Sequence, residues 1–318
     1  MTRSGGDQYS LLQMSQPFST LIEIANLDFV KIEDLFLSAL EFSKNPAAQN
    51  FAAKTAALLF FEPSTRTRFS FETAAARLGL HPLVLDGVNG TSLEKGESIE
   101  DTVLNIAAMQ PSAIVIRCGD EVDLYSLQEK AKIPILNAGW GKRAHPSQAL
   151  LDALTLKANG RDLKKEKLLV IGDIKHSRVM GSHFQLAKIL GYEIGMCGPK
   201  EFLPENNSSG IHFTNLTDGL SWATSVMALR VQHERHGKDH SIDNYQANYP
   251  NQYGLSLQKL KAWKSDGLIM HPGPVNYGVE LSLDVNQDPR CKILEQVKWG
   301  TYLRQALLAG VLSAKAVS

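Results

Sequence analysis

No run of apolar residues in this 318-residue chain reaches the ~18 positions a membrane-spanning helix needs, and no charged segment with an apolar core behind it opens the chain. Neither a membrane span nor a signal peptide is expected. An excess of charge of one sign is also missing, with 33 Lys plus Arg against 33 Asp plus Glu and a formal net charge of zero. That argues against a general binder of nucleic acid or membrane surfaces, which carries a basic excess. It leaves room for a local cationic pocket around a small anion. Cysteine is scarce: Cys118, Cys197 and Cys291 are odd in number and far apart, without metal-ligand or disulfide spacing. A reducing cytoplasm is the expected setting. Internal repeats and low-complexity tracts are lacking as well. The chain does have 43% hydrophobic residues and the length for two cores.

Apolar runs alternate with helical patterns. Strands are expected at Ala56–Phe61, Pro82–Leu85, Ala113–Ile116, Ile133–Asn137, Leu168–Ile171, Glu193–Cys197, Ser225–Leu229 and Leu268–Met270. Helices are expected at Ser70–Leu78, Ile99–Met109, Asp123–Lys130, Pro146–Asn159, Ser177–Leu190 and Leu255–Trp263, with an amphipathic one from Gln296 to Ala316. Such alternation predicts an α/β protein of two domains, each a parallel sheet of about four strands flanked by helices. Residues 1–16 read as a mobile leader. A first domain over 17–150 and a second over 151–295 meet near the helix that Pro146 opens and Asn159-Gly160 closes.

The most telling stretch is Phe61-Glu62-Pro63-Ser64-Thr65-Arg66-Thr67-Arg68-Phe69-Ser70. A buried strand, a polar turn and a helix start follow one another there. The free N–H groups of a first helical turn and the helix dipole favour an anion, and Ser, Thr and Arg add donors that fit phosphate oxygens. Ser64 as a plain N-cap explains one hydroxyl but not two arginines in the same turn.

Six further constellations hold polar chemistry. Thr91-Ser92-Leu93-Glu94-Lys95-Gly96-Glu97-Ser98 carries Lys95, a residue that on an ordinary loop faces water; either Thr91 or Ser92 supplies the loop hydroxyl. Arg117 stands at the carboxyl end of an apolar strand, where open α/β sheets bind ligands; Cys118 beside it reads as structural. His145-Pro146-Ser147-Gln148 offers a donor for a carbonyl oxygen and an amide for an NH2 group. Gly172-Asp173 after a strand precedes Arg178, whose charge at a helix start opposes the dipole and makes sense beside a carboxylate. Arg230-Val231-Gln232 follows another strand. His271-Pro272-Gly273-Pro274-Val275-Asn276 is a rigid turn.

These seven motifs, in order from about Asn50 to the C-terminus, resemble the transcarbamoylases. His-Pro-Ser-Gln with Leu-Leu-Asp, Lys-Gly-Glu-Ser and Arg-Val-Gln are similar to the aspartate branch rather than the ornithine branch. The resemblance implies transfer of the carbamoyl group from carbamoyl phosphate to L-aspartate, an early step of pyrimidine synthesis, without metal or cofactor. It implies that Ser64, Thr65, Arg66 and Thr67 hold the phosphate, and that Thr67, Arg117 and His145 polarise the carbamoyl oxygen. Gln148 and the carbonyls of Pro272 and Gly273 would hold the carbamoyl NH2, with Gly273–Pro274 a cis peptide. Arg178, Arg230 and Gln232 would hold the aspartate carboxylates, and Lys95, reaching in from a neighbouring subunit of a homotrimer, would lie between the two anions. The terminal helix, 296–318, would pack back on the first domain. Regulatory chains or other pathway enzymes are compatible partners; nucleic acid and membrane are not. Two departures from the family pattern stand out: Trp140-Gly141-Lys142-Arg143-Ala144 where Asp-Gly and polar residues are usual, and Tyr277 where Arg is usual. They motivate two alternatives, a non-catalytic homologue acting as a scaffold and a transcarbamoylase for another amino acid.

Overall fold

The computed structural model describes residues 18–47, 49–205, 210–231, 243–264 and 266–314, without the side chains of 243–247. The expected leader lies outside these residues. Nine described strands form two parallel sheets, and helices lie between them. In the first sheet the order is β2-β1-β3-β4, with β1 at Thr55–Phe60, β2 at His81–Asp86, β3 at Ala113–Cys118 and β4 at Ile135–Trp140. The second sheet runs β7-β6-β5-β8-β9, with β5 at Lys167–Ile171, β6 at Glu193–Cys197, β7 at Ile211–Phe213, β8 at Ser225–Ala228 and β9 at Leu268–Met270. Central strands β1, β3 and β5 are buried almost throughout, as unbroken apolar runs in covered parallel sheets should be. Edge strand β2 instead leaves Leu83 and Val84 exposed.

The helices are α1 (Phe29–Lys44), α2 (Thr65–Arg77), α3 (Ile99–Ala108), α4 (Leu124–Ala131), α5 (Pro146–Ala158), α6 (Arg178–Leu190), α7 (Leu216–Trp222), α8 (Asp243–Gln252), α9 (Leu257–Leu260) and α10 (Ile293–Ala314). Several differ from expectation. α2 begins five residues earlier, inside the Ser-Thr-Arg-Thr-Arg run, because hydroxyl residues that read as a turn are also compatible with a first helical turn whose N–H groups are free. α9 is short: Ser256 caps it, and Leu255 ahead of the cap is tied into a bridge with Leu281. β4 begins after Pro134, which has no N–H for a ladder, and runs on through Trp140. The sequence reading passes over α1, although Ile32, Leu35, Phe36, Ala39 and Phe42 have helical spacing behind an Asp28 cap. It also passes over α7, α8 and the three-residue β7, so the second sheet has five strands rather than about four.

Helix α5 is buried at every position from Pro146 to Thr155 and packs against α10 on one side and α6 on another. α10 also covers α1 and α2. One apolar cluster runs from Leu58, Val115 and Leu136 of the first sheet through Leu150 and Leu154 of α5 to Leu168 and Val170 of the second. Burial of that continuous apolar surface holds the two sheets together. Among the described residues no helix is long and apolar enough to cross a membrane.

Candidate active site

Strand order reverses once in each sheet, between β1 and β3 and between β5 and β8. Ligands of open parallel sheets bind outside the carboxyl ends of strands at such points. Phe60 of β1 stands beside Arg117 of β3, and Ile171 of β5 beside Ala228 of β8, which leads into Arg230. A cavity of about 1040 Å³ opens there, between the two halves. Ser64, Thr65, Arg66, Thr67, Arg117, His145, Gln148, Arg178, Arg230, Pro272 and Gly273 all line it. Two expected residues are not among them. Lys95 is exposed at the end of a 3-10 turn, Ser92–Lys95, away from this cavity, and Gln232 lies outside the described residues. In the Lys95 loop the Thr91 hydroxyl accepts from Leu93 N and is engaged locally.

Helices α2, α5 and α6 start at the cavity, as does α10 with Ile293. The N-cap residues of α2, α5 and α6, Ser64, His145 and Ser177, make no side-chain bond to the helix. Asp28, Ser98, Asp123, Asn215 and Ser256 do cap α1, α3, α4, α7 and α9. Pro146 has no N–H, and Gln148 N and Met180 N bond the His145 and Ser177 carbonyls, so the start of α2 is the clearest anion receptor of the three. Simple capping by Ser64 is thereby set aside.

Of the two arginines in the first motif, only Arg66 faces the cavity. Arg68 turns away to Asp86 (2.9 Å) and Glu72 (3.6 Å) and stacks on Phe69. Arg66 has no carboxylate partner among the described residues. Its guanidinium lies against Gly273, where a Cβ would stand 2.6 Å from Cζ, and the +70° φ of Gly273 is a second reason for glycine there. A cis peptide joins Gly273 to Pro274. Gly172, at φ +122°, is required in the second half for a similar reason: a Cβ would meet the Leu229 carbonyl at 2.8 Å, so the turns after β5 and β8 approach closely only with glycine.

His145 is buried. Burial first, then the charges of Arg178, Arg117 and Arg304, hold its imidazole well below its ordinary value, so it is neutral at neutral pH. Its Nδ1 is enclosed and has no hydrogen-bond partner among the described residues. Cys118 is buried, and burial, with Glu121 and Glu62 nearby, pushes its thiol up to about 12; it is inert, as read from the sequence.

Glu62, which the sequence reading quotes but gives no role, joins the halves. Its Oε2 accepts from Arg178 Nη1 at 3.0 Å and pairs with Arg117 Nε at 3.4 Å. Arg178 also donates to the Gly141 carbonyl at 3.0 Å. The unusual Trp140–Ala144 segment thus forms an ordered turn: Trp140 is buried and donates to the Val122 carbonyl, and Arg143 stacks on its ring. Tyr277, the other departure, lines the cavity mouth and is half exposed. Arg304, also passed over, enters the cavity from α10, stacked on Phe71; burial pulls its guanidinium down to about 9. No signal in one sequence marks a helix interior arginine as cavity-facing. Among the described residues no cluster of three or more His, Cys, Asp or Glu side chains could hold a metal ion.

Two family models match in tandem: the carbamoyl-P binding domain of aspartate/ornithine carbamoyltransferase over residues 19–158, and the Asp/Orn binding domain over 164–311. The chain belongs to the aspartate/ornithine carbamoyltransferase family. It is 36% identical to the aspartate carbamoyltransferase catalytic subunit of Staphylococcus carnosus over 93% of this chain and 96% of that one. It is 39% identical to the catalytic subunit of Nitratiruptor sp. over 90% and 96%. Among solved structures, aspartate transcarbamoylase from Trypanosoma cruzi in complex with carbamoyl aspartate and phosphate superposes with a TM-score of 0.82 at 26% identity, over 94% of this chain and 97% of that one. The same protein with carbamoyl phosphate and aspartate gives 0.81 at 26% identity, over 94% and 98%.

Proposed function

We propose that this chain is an aspartate carbamoyltransferase, making N-carbamoyl-L-aspartate and phosphate from carbamoyl phosphate and L-aspartate for pyrimidine synthesis. The observation that carries the reading is the cavity between the switch points, where three uncapped helix starts and four arginines, Arg66, Arg117, Arg178 and Arg230, surround a neutral histidine. Two anionic substrates repel at contact distance, and such a cationic bowl offsets that repulsion. Phosphate sits at the α2 start against Ser64, Thr65, Arg66 and Thr67. Thr67, Arg117 and His145 donate to the carbamoyl oxygen, whose negative charge grows as the carbon becomes tetrahedral. Gln148 and the carbonyls of Pro272 and Gly273 accept from the NH2. Arg178, Arg230 and Gln232 hold the carboxylates of aspartate. The neutral amine attacks the carbamoyl carbon, a C–N bond forms, the C–O bond to phosphate breaks, and the amine proton leaves with phosphate. Orientation and electrostatics supply the acceleration, with no protein base.

The aspartate-side carboxylate sites favour aspartate over ornithine, whose side chain ends in a cation. The division of labour follows the two halves, 17–150 with 296–318 for carbamoyl phosphate and 151–295 for aspartate; α10 packing on α1, α2 and α5 supports it. A cytoplasmic setting is supported by three free cysteines.

A homotrimer with shared sites belongs to the same proposal. Lys95 is solvated in its own chain, and the apolar edge of β2 with exposed Leu83 and Val84 suits a contact with a second copy. The test is twofold. Phosphate release from carbamoyl phosphate is measured with aspartate and with ornithine; no release with aspartate would overturn the activity and favour the scaffold reading. Inactive Lys95→Ala and His145→Ala chains are then mixed after gentle dissociation. Regained activity supports the shared site, and none in verified mixed trimers rules it out.

A further inference from the structure

We propose that Asp152 is a positioning residue: it fixes which end of the Gln148 amide faces the substrate, and through Gln296 it sets the His271–Gly273 turn as well. The inference rests on the assignment of Gln148, Pro272 and Gly273 to the carbamoyl NH2. Asp152 is wholly buried on α5, one turn beyond Gln148. Its Oδ1 accepts from Gln148 Nε2 at 2.9 Å and from Gln296 Nε2 at 2.7 Å. Its Oδ2 is 3.1 Å from His183 Nε2, and His183 Nδ1 is 2.8 Å from the Tyr192 hydroxyl, so the carboxylate is held from a third side. A carboxylate only accepts. Both glutamines must therefore turn their NH2 ends toward it, which settles amide orientations that shape alone leaves open.

Two consequences follow at the cavity. Gln148, which lines it, presents its other end, the carbonyl oxygen, away from Asp152. Gln296 has its oxygen free to accept from His271 N, which it does at 2.9 Å. His271 Nδ1 in turn accepts from Gly273 N at 2.7 Å, and His271 Nε2 faces Glu280 Oε1 at 3.3 Å. Because a trans peptide points its N–H and C=O in opposite directions, tying Gly273 N–H back to His271 turns the Pro272 carbonyl outward. One buried carboxylate thus aligns acceptors on two separate elements, α5 and the turn after β9. Acceptors fit an NH2 group and gain nothing from a methyl group of the same size. Asp152 acts on the choice between a carbamoyl and an acyl phosphate, not on phosphate itself.

The experiment compares carbamoyl phosphate with acetyl phosphate, which carries CH3 in place of NH2. In the wild type kcat/KM should favour carbamoyl phosphate by about 100-fold or more, since sites built to pair an N–H reject analogues lacking it. Asp152→Asn should narrow that ratio about 10-fold, while inhibition by inorganic phosphate stays within about two-fold. In a Gln148→Met background Asp152→Asn should narrow it only about 3-fold further, because the Gln296 contact is then the one arm left to lose. Gln296→Met, which keeps the Asp152 charge and the side-chain volume, should narrow it about 3-fold and decides the matter if Asp152→Asn does not fold. An unchanged ratio in these variants, or additive effects in the double variant, would overturn the inference. A wild type that makes no carbamoyl aspartate would overturn the functional reading instead.

Discussion

The helices that begin at the cavity and those that begin elsewhere solve the same problem differently. At α3, Ser98 takes the Asp101 N–H on its own hydroxyl at 3.0 Å, and α3 needs nothing more. At α2, Ser64 occupies the same N-cap position but bonds no helix N–H, and its hydroxyl faces a cavity. Stability is complete in the first case and deferred to a ligand in the second. The cavity-facing starts also differ from one another. The arginine in the first turn of α2, Arg66, stands without a carboxylate among the described residues. The arginine that opens α6, Arg178, is already held by Glu62 and by Gly141 O. The α2 side, proposed here for phosphate, thus lacks the ion pair that on the α6 side, proposed for aspartate, orients an arginine across the two halves.

Removing Arg66 tests that contrast most severely. Arg66→Ala should lower carbamoyl aspartate formation by about 30- to 1000-fold, the loss of a charge-assisted contact worth roughly 2–4 kcal/mol. Its melting temperature should hardly move, because the residue is exposed and has no ion pair among the described residues. Turnover within a few-fold of wild type would sink the phosphate assignment. On the opposite wall, Arg230→Ala should cut kcat/KM for aspartate by about 10- to 100-fold. Calorimetry should show carbamoyl phosphate alone binding within about two-fold of wild type; equal losses in both arginine variants would erase the division between the halves.

A milder pair separates the two kinds of helix start. Ser98→Ala should cost about 1 kcal/mol in denaturant unfolding and leave phosphate inhibition alone. Ser64→Ala should do the reverse, costing under about 0.5 kcal/mol and weakening phosphate several-fold. Similar unfolding losses in the two would mean that Ser64 is an ordinary cap. The smallest effect concerns acid. His145 has an ordinary value of 6.5, and in the fold it is held well below that by burial and then by Arg178, Arg117 and Arg304. The unfolded chain takes up a proton near pH 6.5 that the folded chain refuses, so the His145 contribution is present above that pH and is lost as pH falls below it. Unfolding free energies of His145→Asn should therefore slope less than wild type between about pH 6.5 and 5. Parallel slopes would show that His145 protonates freely in the fold.

Much of this was legible in the residues themselves. Apolar runs such as Ala113–Ile116 and Leu168–Ile171 mark buried strands because a strand covered on both faces has no polar side to show. Arg117, Arg178 and Arg230 fall at strand or helix ends, where parallel sheets leave room for ligands. Local chemistry misled in a few places. Arg68 shares a turn with Arg66 in the sequence, but on a helix it points elsewhere and finds Asp86. The polar start of α2 looked like loop for want of apolar spacing, and β7 is too short and too exposed to show a period.

By itself the sequence determined the alternation of strands and helices, the residue types at the proposed ligand positions and the family. Those rest on spacing along the chain, which local backbone geometry converts directly into faces and ends. Only the tertiary structure decided which of those side chains are pointed, and by what. Glu62 meets Arg178 across 116 positions, and Asp152 meets Gln296 across 144. Such contacts leave no periodic trace, because they exist only after α5 and α10 have packed and brought distant donors to one buried carboxylate.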